Sequence, residues 1–229
     1  TQAVSGMDLV YHLAALGSVP RSLKDPETTH EVNVNGVFNV LLAARDANVA
    51  RLVFASSSSV YGDNAVLPQH EGLPLAPISP YGGSKAIGEI LLKSFHEAFG
   101  LETISLRYYN VFGPRQDPAS PYSGVISIFL GRLLDKQPVT IHGDGLQERD
   151  FVYVADVVAA LLTAMAQPPK HPRGVDLSQS APVYNICRGE AITIDALLKL
   201  LMELTDSQVP VTMGPARVGD IRLSRGNPA

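Results

Sequence analysis

The sequence predicts an α/β protein: a doubly wound parallel sheet with helices on its faces, joined to a smaller α+β unit. Two observations predict it. Short apolar runs alternate with helical patterns through the first half of the 229-residue chain, the mark of parallel strands joined by crossover helices. Past Gly113-Pro114 the texture changes to a stretch rich in Gly, Pro and Ser, then to shorter and less regular elements.

The elements follow in order. Leu9 to Leu13 reads as a strand. Asp25-Pro26 has the residue types of an N-cap and first helical position, opening a helix to about Ala47. Arg51 to Ala55 is the next strand. Pro80 opens a second long helix with Ile87, Ile90, Leu91 and Phe95 on one face, and Gly100 stops it before a strand at Thr103 to Leu106. Beyond the texture change, Ser123 to Leu134 reads as helix, Val139 to Ile141 as a short strand and Val154 to Met165 as helix. Pro168 to Pro182 has the composition of a surface loop. Val183 to Ile186 is then a strand, and Ile194 to Thr205 a helix capped by Thr193. The expected division is 1–113 plus about 150–166 for the first unit, and 114–149 plus about 167–229 for the second.

Both ends read as cut: the chain starts just before a core strand and closes on Gly226-Asn227-Pro228-Ala229. No G-x-x-G-x-x-G turn joins a strand to a helix. Such a turn brings helix-terminal N–H groups against a dinucleotide's pyrophosphate. Either the protein binds no dinucleotide, or the half that does so is missing.

Bulk properties exclude several classes. Hydrophobic content of 45% with 17% charge fits a globular protein rather than a disordered one. A net charge of −4 argues against a general nucleic-acid binder, which needs a basic face. The apolar runs Val157 to Met165 and Ala196 to Leu201 are too short to span a bilayer, so no membrane partner is expected. No signal-peptide pattern opens the chain, and the single cysteine, Cys187, cannot form an internal disulfide. A cytoplasmic setting follows as the expectation. No metal site is expected.

Chemistry concentrates at two places. Tyr81-Gly82-Gly83-Ser84-Lys85 puts Tyr and Lys four apart at a helix start, hence on one face. A phenol titrates near pH 10, and an ammonium beside it in a partly desolvated site favours the phenolate. Upstream, Phe54-Ala55-Ser56-Ser57-Ser58-Ser59-Val60-Tyr61-Gly62 sets a hydroxyl cluster directly after an apolar strand, and strand C-terminal ends are where open α/β sheets bind ligands. A serine there can hydrogen-bond a ligand hydroxyl and share its proton with the tyrosine. Read alone, each is matched by a plainer account: two helix-surface residues, and a Ser-rich loop bonding its own backbone.

Order and spacing add a resemblance. His12-Leu13-Ala14-Ala15, Asn33-Val34-Asn35-Gly36, the Ser56 to Gly62 run and Tyr81 to Lys85 are followed by Arg107-Tyr108-Tyr109-Asn110-Val111-Phe112-Gly113, by Gly143-Asp144-Gly145 with Arg149-Asp150-Phe151, and by Arg217-Val218-Gly219-Asp220. Together they resemble the extended short-chain dehydrogenase/reductases, in particular the UDP-hexose 4-epimerases that accept N-acetylated sugars. The resemblance implies a Rossmann-type sheet lacking its first strands, NAD as cofactor, a UDP-sugar as substrate and a homodimer through the helices Pro26 to Ala47 and Tyr81 to Phe99.

It also implies residue roles. Tyr81 is the base, Lys85 tunes it and holds the nicotinamide ribose, and Ser57 is the hydroxyl partner, with Ser58 and Ser59 as substitutes. Leu13, Ala14, Ala15 and Leu16 line the cofactor, with Tyr109 near the nicotinamide; Asn33 is a structural hydrogen-bonder. Asn110, Arg149 and Arg217 hold the nucleotide diphosphate, a task suited to the bidentate guanidinium, and Asp220 takes the ribose. Ser18, Val125 and Thr140 are weaker carry-overs. Related dehydratases carry an Asp-Glu pair where this chain has Ser58-Ser59, so elimination of water is not expected. Ser224, where a tyrosine would crowd an N-acetyl group, leaves room for one. Two other readings stay open: a UDP-hexuronate 4-epimerase or other nucleotide-sugar oxidoreductase, with Arg21 as the cation for a carboxylate, and an inactive fragment unable to bind NAD.

Overall fold

The computed structural model describes residues 2–120, 123–166 and 181–228. Its centre is a four-stranded sheet in the order β1-β2-β3-β7, from β1 (Leu9–His12), β2 (Arg51–Ser57), β3 (Glu102–Tyr108) and β7 (Val183–Ile186). All three pairings are parallel. Val183–Ile186, expected in the second unit, is the fourth strand of this sheet. β2 is buried along most of its length, as a strand covered on both faces must be.

Local chemistry places the helices on these faces. α1 (Val19–Lys24) is a short helix that sequence patterning did not reveal. Asp25 then caps α2 (Pro26–His30), its Oδ1 accepting the Thr28 N–H at 3.0 Å. The expected helix to Ala47 is not uniform: a π-helical turn at Glu31–Asn35 interrupts it before α3 (Gly36–Asp46). α4 (Pro80–Phe99) begins at Ser79, whose side chain accepts the Gly82 N–H, and ends at Gly100, in the left-handed region at φ 70°. Val37, Leu41, Leu52, Phe54, Leu92 and Phe95 form the core between the sheet, α3 and α4. On α4 the apolar face differs from the expected one. Leu92 and Phe95 are buried, whereas Ile87 and Ile90 are exposed, because Ser84, Lys85 and Glu89 occupy the sheet-facing stripe.

The rest builds a second layer. β4 (Asn110–Phe112) pairs in parallel with β6 (Glu148–Tyr153), and β6 pairs antiparallel with β8 (Ala191–Thr193). β5 (Val139–His142) pairs with β9 (Val211–Gly214). A second core joins α5 (Val125–Leu134), β5 and α7 (Ile194–Leu204) through Phe129, Leu133, Ile141, Leu197 and Leu198. Thr193 caps α7, as its sequence position predicts. α6 (Val154–Ala166) covers the other face of the main sheet, where Leu161 packs near Val53, Ile104 and Leu106. The expected loop from Pro168 to Pro182 lies almost wholly outside the described residues. Among the described residues no helix is long and apolar enough to cross a membrane.

Candidate active site

The site begins where β2 ends. Ser57 is the last residue of β2 and caps the 3₁₀ turn Ser58–Tyr61. Its Oγ accepts the Ser59 backbone N–H at 3.2 Å and the Ser59 hydroxyl at 2.9 Å. Against this turn stands the N-terminal half of α4, which presents Tyr81, Lys85 and Glu89 at four-residue spacing on one face. Three consecutive residues of β2 meet that face. Ser57 is the side chain beside the Tyr81 phenol that lowers its titration. The Ala55 carbonyl accepts from Lys85 Nζ at 2.8 Å, and the Ser56 hydroxyl donates to Glu89 Oε1 at 2.5 Å.

The electrostatics differ from the expectation in one respect. Burial pushes the Tyr81 phenol above its ordinary value, and the Ser57 hydrogen bond is what opposes that. Lys85 Nζ lies 5.9 Å from the centre of the Tyr81 ring and is committed to Ala55 and the Phe54 face. Burial pushes the Lys85 ammonium down to about 8. Desolvation therefore outweighs the lysine in setting the phenol, because the ammonium is spent on a carbonyl rather than on the phenol oxygen.

A buried polar network lies behind the pair. Arg107 of β3 grips Glu89 through two bonds, Nε to Oε1 at 2.9 Å and Nη2 to Oε2 at 2.7 Å. Its Nη1 donates to Tyr61 Oη at 2.8 Å, and that hydroxyl donates to Asn185 Oδ1 at 2.7 Å. Every donor and acceptor named here is inside the protein, so the network is a fixed scaffold rather than a solvated cluster. Asn33, in the π turn, is structural as expected. Its amide takes the Leu16 N–H at 2.8 Å and donates to the Leu16 carbonyl and to Ser84 Oγ. That ties Leu13 to Leu16, the segment after β1, to the start of α4.

His12 closes β1, stacked on Phe54 at 5.8 Å, with Nε2 buried and unpartnered. Burial first, and the Lys85 charge second, hold it down to about 4 from 6.5. The unfolded chain thus binds a proton below pH 6.5 that the folded chain refuses until about pH 4. The stability it withdraws is absent above pH 6.5 and grows as pH falls through that window, by as much as about 1.4 kcal/mol per pH unit. The variant His12→Phe, which keeps the stack, is expected to flatten acid destabilisation between pH 6.5 and 4, read by denaturant unfolding at a series of pH values.

The second component is a cleft of about 490 Å³ within the second layer. Asn110 of β4, Val125 of α5, Thr140 of β5, Arg149 of β6, Arg217 and Asp220 all line it. A smaller cleft of about 200 Å³ shares Asn110, Arg149, Arg217 and Asp220 and adds Ser58 and Ser224. Since Ser58 adjoins Ser57, the hydroxyl cluster and the arginine-lined cleft are continuous. Arg149 and Asp220, given separate tasks by the resemblance, form an ion pair with each other. Arg149 also donates to the Glu148 and Ile221 carbonyls at 2.7 Å each, which fixes the 220–221 segment on β6.

Two expected residues stand differently. The Ser18 hydroxyl caps α1 by accepting from the Arg21 N–H at 3.3 Å, and it is Val19 and Pro20 that line the smaller cleft. Tyr109 turns into the packing beside Val60, Tyr61 and Ala86, its hydroxyl donating to Gln69 Oε1 at 3.0 Å. One contributor went unread in the sequence. Asp150 accepts the N–H groups of Arg188, Gly189 and Gly226, which clamps the segment carrying Ser224 against β6. Its only sequence signal was its place between Arg149 and Phe151.

The residues fit a nicotinamide cofactor on two counts. Lys85 is a buried ammonium with a single hydrogen bond among the described residues, leaving donors for ligand hydroxyls. Leu13 and Ala14 present an exposed apolar surface beyond the C-terminal end of β1, where open α/β sheets take their ligands.

A Ser–Tyr–Lys group thus stands at the C-terminal end of a parallel strand, and Ser58 of the adjoining turn lies on the wall of an arginine-lined cleft. Comparison with known proteins gives the family. The sequence profile of the NAD dependent epimerase/dehydratase family matches residues 1–187. The UDP-glucose 4-epimerase of Mycolicibacterium smegmatis is 35% identical over 219 residues, covering 95% of this chain and 66% of that protein. The structure of the UDP-N-acetylglucosamine 4-epimerase from Methanobrevibacter ruminantium, in complex with UDP-N-acetylmuramic acid, aligns with a TM-score of 0.88 at 37% identity over 99% of this chain and 69% of that one. That of the UDP-glucose 4-epimerase from Thermotoga maritima, with UDP-glucose, aligns with a TM-score of 0.89 at 38% identity over 97% and 69%. The chain belongs to the NAD dependent epimerase/dehydratase family. It spans about half to two thirds of the length of the curated relatives it matches.

Proposed function

We propose that the complete protein catalyses NAD-dependent 4-epimerisation of a UDP-sugar through a transient 4-keto intermediate, with UDP-N-acetylglucosamine and UDP-N-acetylgalactosamine as the principal pair and UDP-glucose and UDP-galactose as a further one. The observation that carries this is the continuity of the Ser57–Tyr81–Lys85 group with the arginine-lined cleft. Tyr81 takes the proton of the sugar 4-hydroxyl and later returns it, with Ser57 sharing the hydrogen bond. Lys85 and the Leu13, Ala14, Ala15 and Leu16 segment would hold NAD, and Tyr109 would pack behind the nicotinamide. Bound NAD supplies a hydride acceptor that can give the hydride back. Asn110, Arg149 and Arg217 retain the diphosphate and Asp220 the ribose, while the 4-keto sugar turns about its diphosphate link. Val125 and Thr140 complete the nucleotide contacts.

A firm grip on one end of the substrate and a loose one on the other is what an epimerase needs. The cleft supplies it, with charged groups at Arg149, Arg217 and Asp220 and small hydroxyls at Ser58 and Ser224. Ser224 is where an acetyl group is accommodated. The variant Ser224→Tyr is expected to cut turnover of the acetylated pair about tenfold or more relative to UDP-glucose, measured as the ratio of kcat/KM values.

A second reading is a UDP-hexuronate 4-epimerase, favoured by Arg21 on α1, whose Val19 and Pro20 line the smaller cleft. Supplying the complete protein with UDP-N-acetylglucosamine, UDP-glucose and UDP-glucuronate, and separating the products by chromatography, decides between them. Conversion of the acetylated sugar is the expected result. Conversion of UDP-glucose alone sinks the acetyl assignment, and conversion of the uronate alone transfers the protein to the second reading. We further infer a cytosolic homodimer joined through α3 and α4, whose outer faces expose Phe38, Ile87 and Ile90.

A further inference from the structure

We propose that Ser59 is a positioning residue for the Ser57–Tyr81 pair: it fills both acceptor positions of Ser57 Oγ and thereby turns the Ser57 proton toward the Tyr81 oxygen. The proposal rests on the reading of Tyr81 as the base, and it concerns a residue for which the family resemblance offers only the role of a substitute for Ser57.

The argument is one of hydrogen-bond capacity. A serine hydroxyl has one proton to donate and two lone pairs to accept with. Ser57 Oγ receives the Ser59 backbone N–H at 3.2 Å and the Ser59 hydroxyl at 2.9 Å. Both lone pairs are then used, and the one bond left to Ser57 is donation. The neighbour left to receive it is the Tyr81 hydroxyl, whose titration Ser57 lowers; the Ser57 turn packs directly on the start of α4. A donor aimed at a phenol oxygen stabilises the charged form, whereas an acceptor would stabilise the neutral one. Without the Ser59 hydroxyl, Ser57 recovers a lone pair and can accept the Tyr81 proton instead, which holds the phenol neutral.

Ser59 is itself held in place. It is buried, and its Oγ makes no other hydrogen bond among the described residues. The turn it belongs to lies directly on the start of α4: a Cβ at Gly82 would fall 2.7 Å from the Ser59 carbonyl oxygen. Only a residue without a side chain fits beside Tyr81 there, so the separation of the turn from Tyr81 is fixed. Of the charged and titratable groups around the pair, Lys85 on α4 is bound to the Ala55 carbonyl, His12 at the end of β1 stacks on Phe54, Glu89 is bound to Ser56 and Arg107, and Arg149, Arg217 and Asp220 share the smaller cleft with Ser58. None of these hydrogen-bonds to Ser57 or Ser59, so the effect of Ser59 is separable from theirs.

The test compares the complete NAD-loaded protein with Ser59→Ala and Ser59→Thr. Tyrosine labelled with ¹³C at the ring carbon bearing oxygen reports the ionisation of Tyr81, whose resonance is the one that disappears in Tyr81→Phe. In Ser59→Ala the Tyr81 midpoint is expected to move to higher pH by about one unit. The rising limb of kcat against pH moves with it, so kcat falls about tenfold below the midpoint while the KM for the UDP-sugar holds. Ser59→Thr, which keeps the hydroxyl, restores both. An unchanged Tyr81 titration together with an unchanged kcat–pH profile in Ser59→Ala, whatever its thermal stability, overturns the proposal. If the unmutated protein converts no UDP-sugar, the epimerase reading falls, and the titration still decides the role of Ser59.

Discussion

The variant Tyr81→Phe is expected to lower turnover by about two to four orders of magnitude, the span of a lost general base, with UDP-sugar affinity and NAD content retained. The substitution removes one oxygen from a half-buried ring and leaves the arginine-lined cleft untouched, because Asn110, Arg149 and Arg217 stand on other elements. What is lost is the proton acceptor for the 4-hydroxyl. Ser57 cannot replace it, as a serine proton is far harder to remove, and Lys85 is bound to the Ala55 carbonyl. Steady-state kinetics with separate titration of UDP-sugar binding measures the split. Turnover within a few-fold of the unmutated protein would remove Tyr81 from the chemistry and leave the Ser–Tyr–Lys group a structural feature.

The largest effect on stability is expected from breaking the Arg107–Glu89 pair. Both side chains are nearly inaccessible, at 4% and 7% exposure, and they share two hydrogen bonds. In Arg107→Leu the Glu89 carboxylate stays buried with Ser56 as its remaining donor, and Tyr61 loses its cationic partner. Stranding a buried charge costs about 3–5 kcal/mol, enough to lower the unfolding midpoint by roughly 10 °C in a protein of this size. The double variant Arg107→Leu with Glu89→Leu is expected to lose less than the single one, because no charge is left unpaired. Thermal unfolding of the three proteins tests this, and a double variant less stable than the single one would contradict it.

Much of the architecture was legible because local rules and global packing agree there. Asp25 and Pro26, Pro80, Gly100 and Thr193 each mark a helix boundary with residue types suited to it; the cap at Ser79 went unread. The apolar runs of β2 and β3 needed only their own hydrophobicity to be found. The three- and four-residue strands β4, β8 and β9 escaped, since their identity depends on partners distant in sequence rather than on any internal period. The face of α4 was misread for a related reason. Ile87 and Ile90 look like core by spacing, yet the inward stripe carries Ser84, Lys85 and Glu89, which bond to Asn33, Ala55 and Arg107 elsewhere in the chain.

The site shows the same division. Tyr81, Lys85 and Ser57 could be nominated from motif and order, and the cleft residues from their carry-over. Their couplings could not. The Arg149–Asp220 pair joins residues 71 apart, and the Asp150 clamp gathers N–H groups from Arg188, Gly189 and Gly226. The sign of the Tyr81 environment was also beyond the sequence. A neighbouring lysine suggests a lowered phenol, but burial dominates, and it is Ser57 rather than Lys85 that opposes it.

The most direct test of the central claim is to run the interconversion of UDP-N-acetylglucosamine and UDP-N-acetylgalactosamine in D₂O with the complete NAD-loaded protein and read the hydrogen at C4 of the product. Reversible oxidation at C4, with the hydride held on the cofactor and the Tyr81 proton confined to oxygen, predicts inverted product with no deuterium on C4. Deuterium at C4, or no epimer formed at all, would contradict the account.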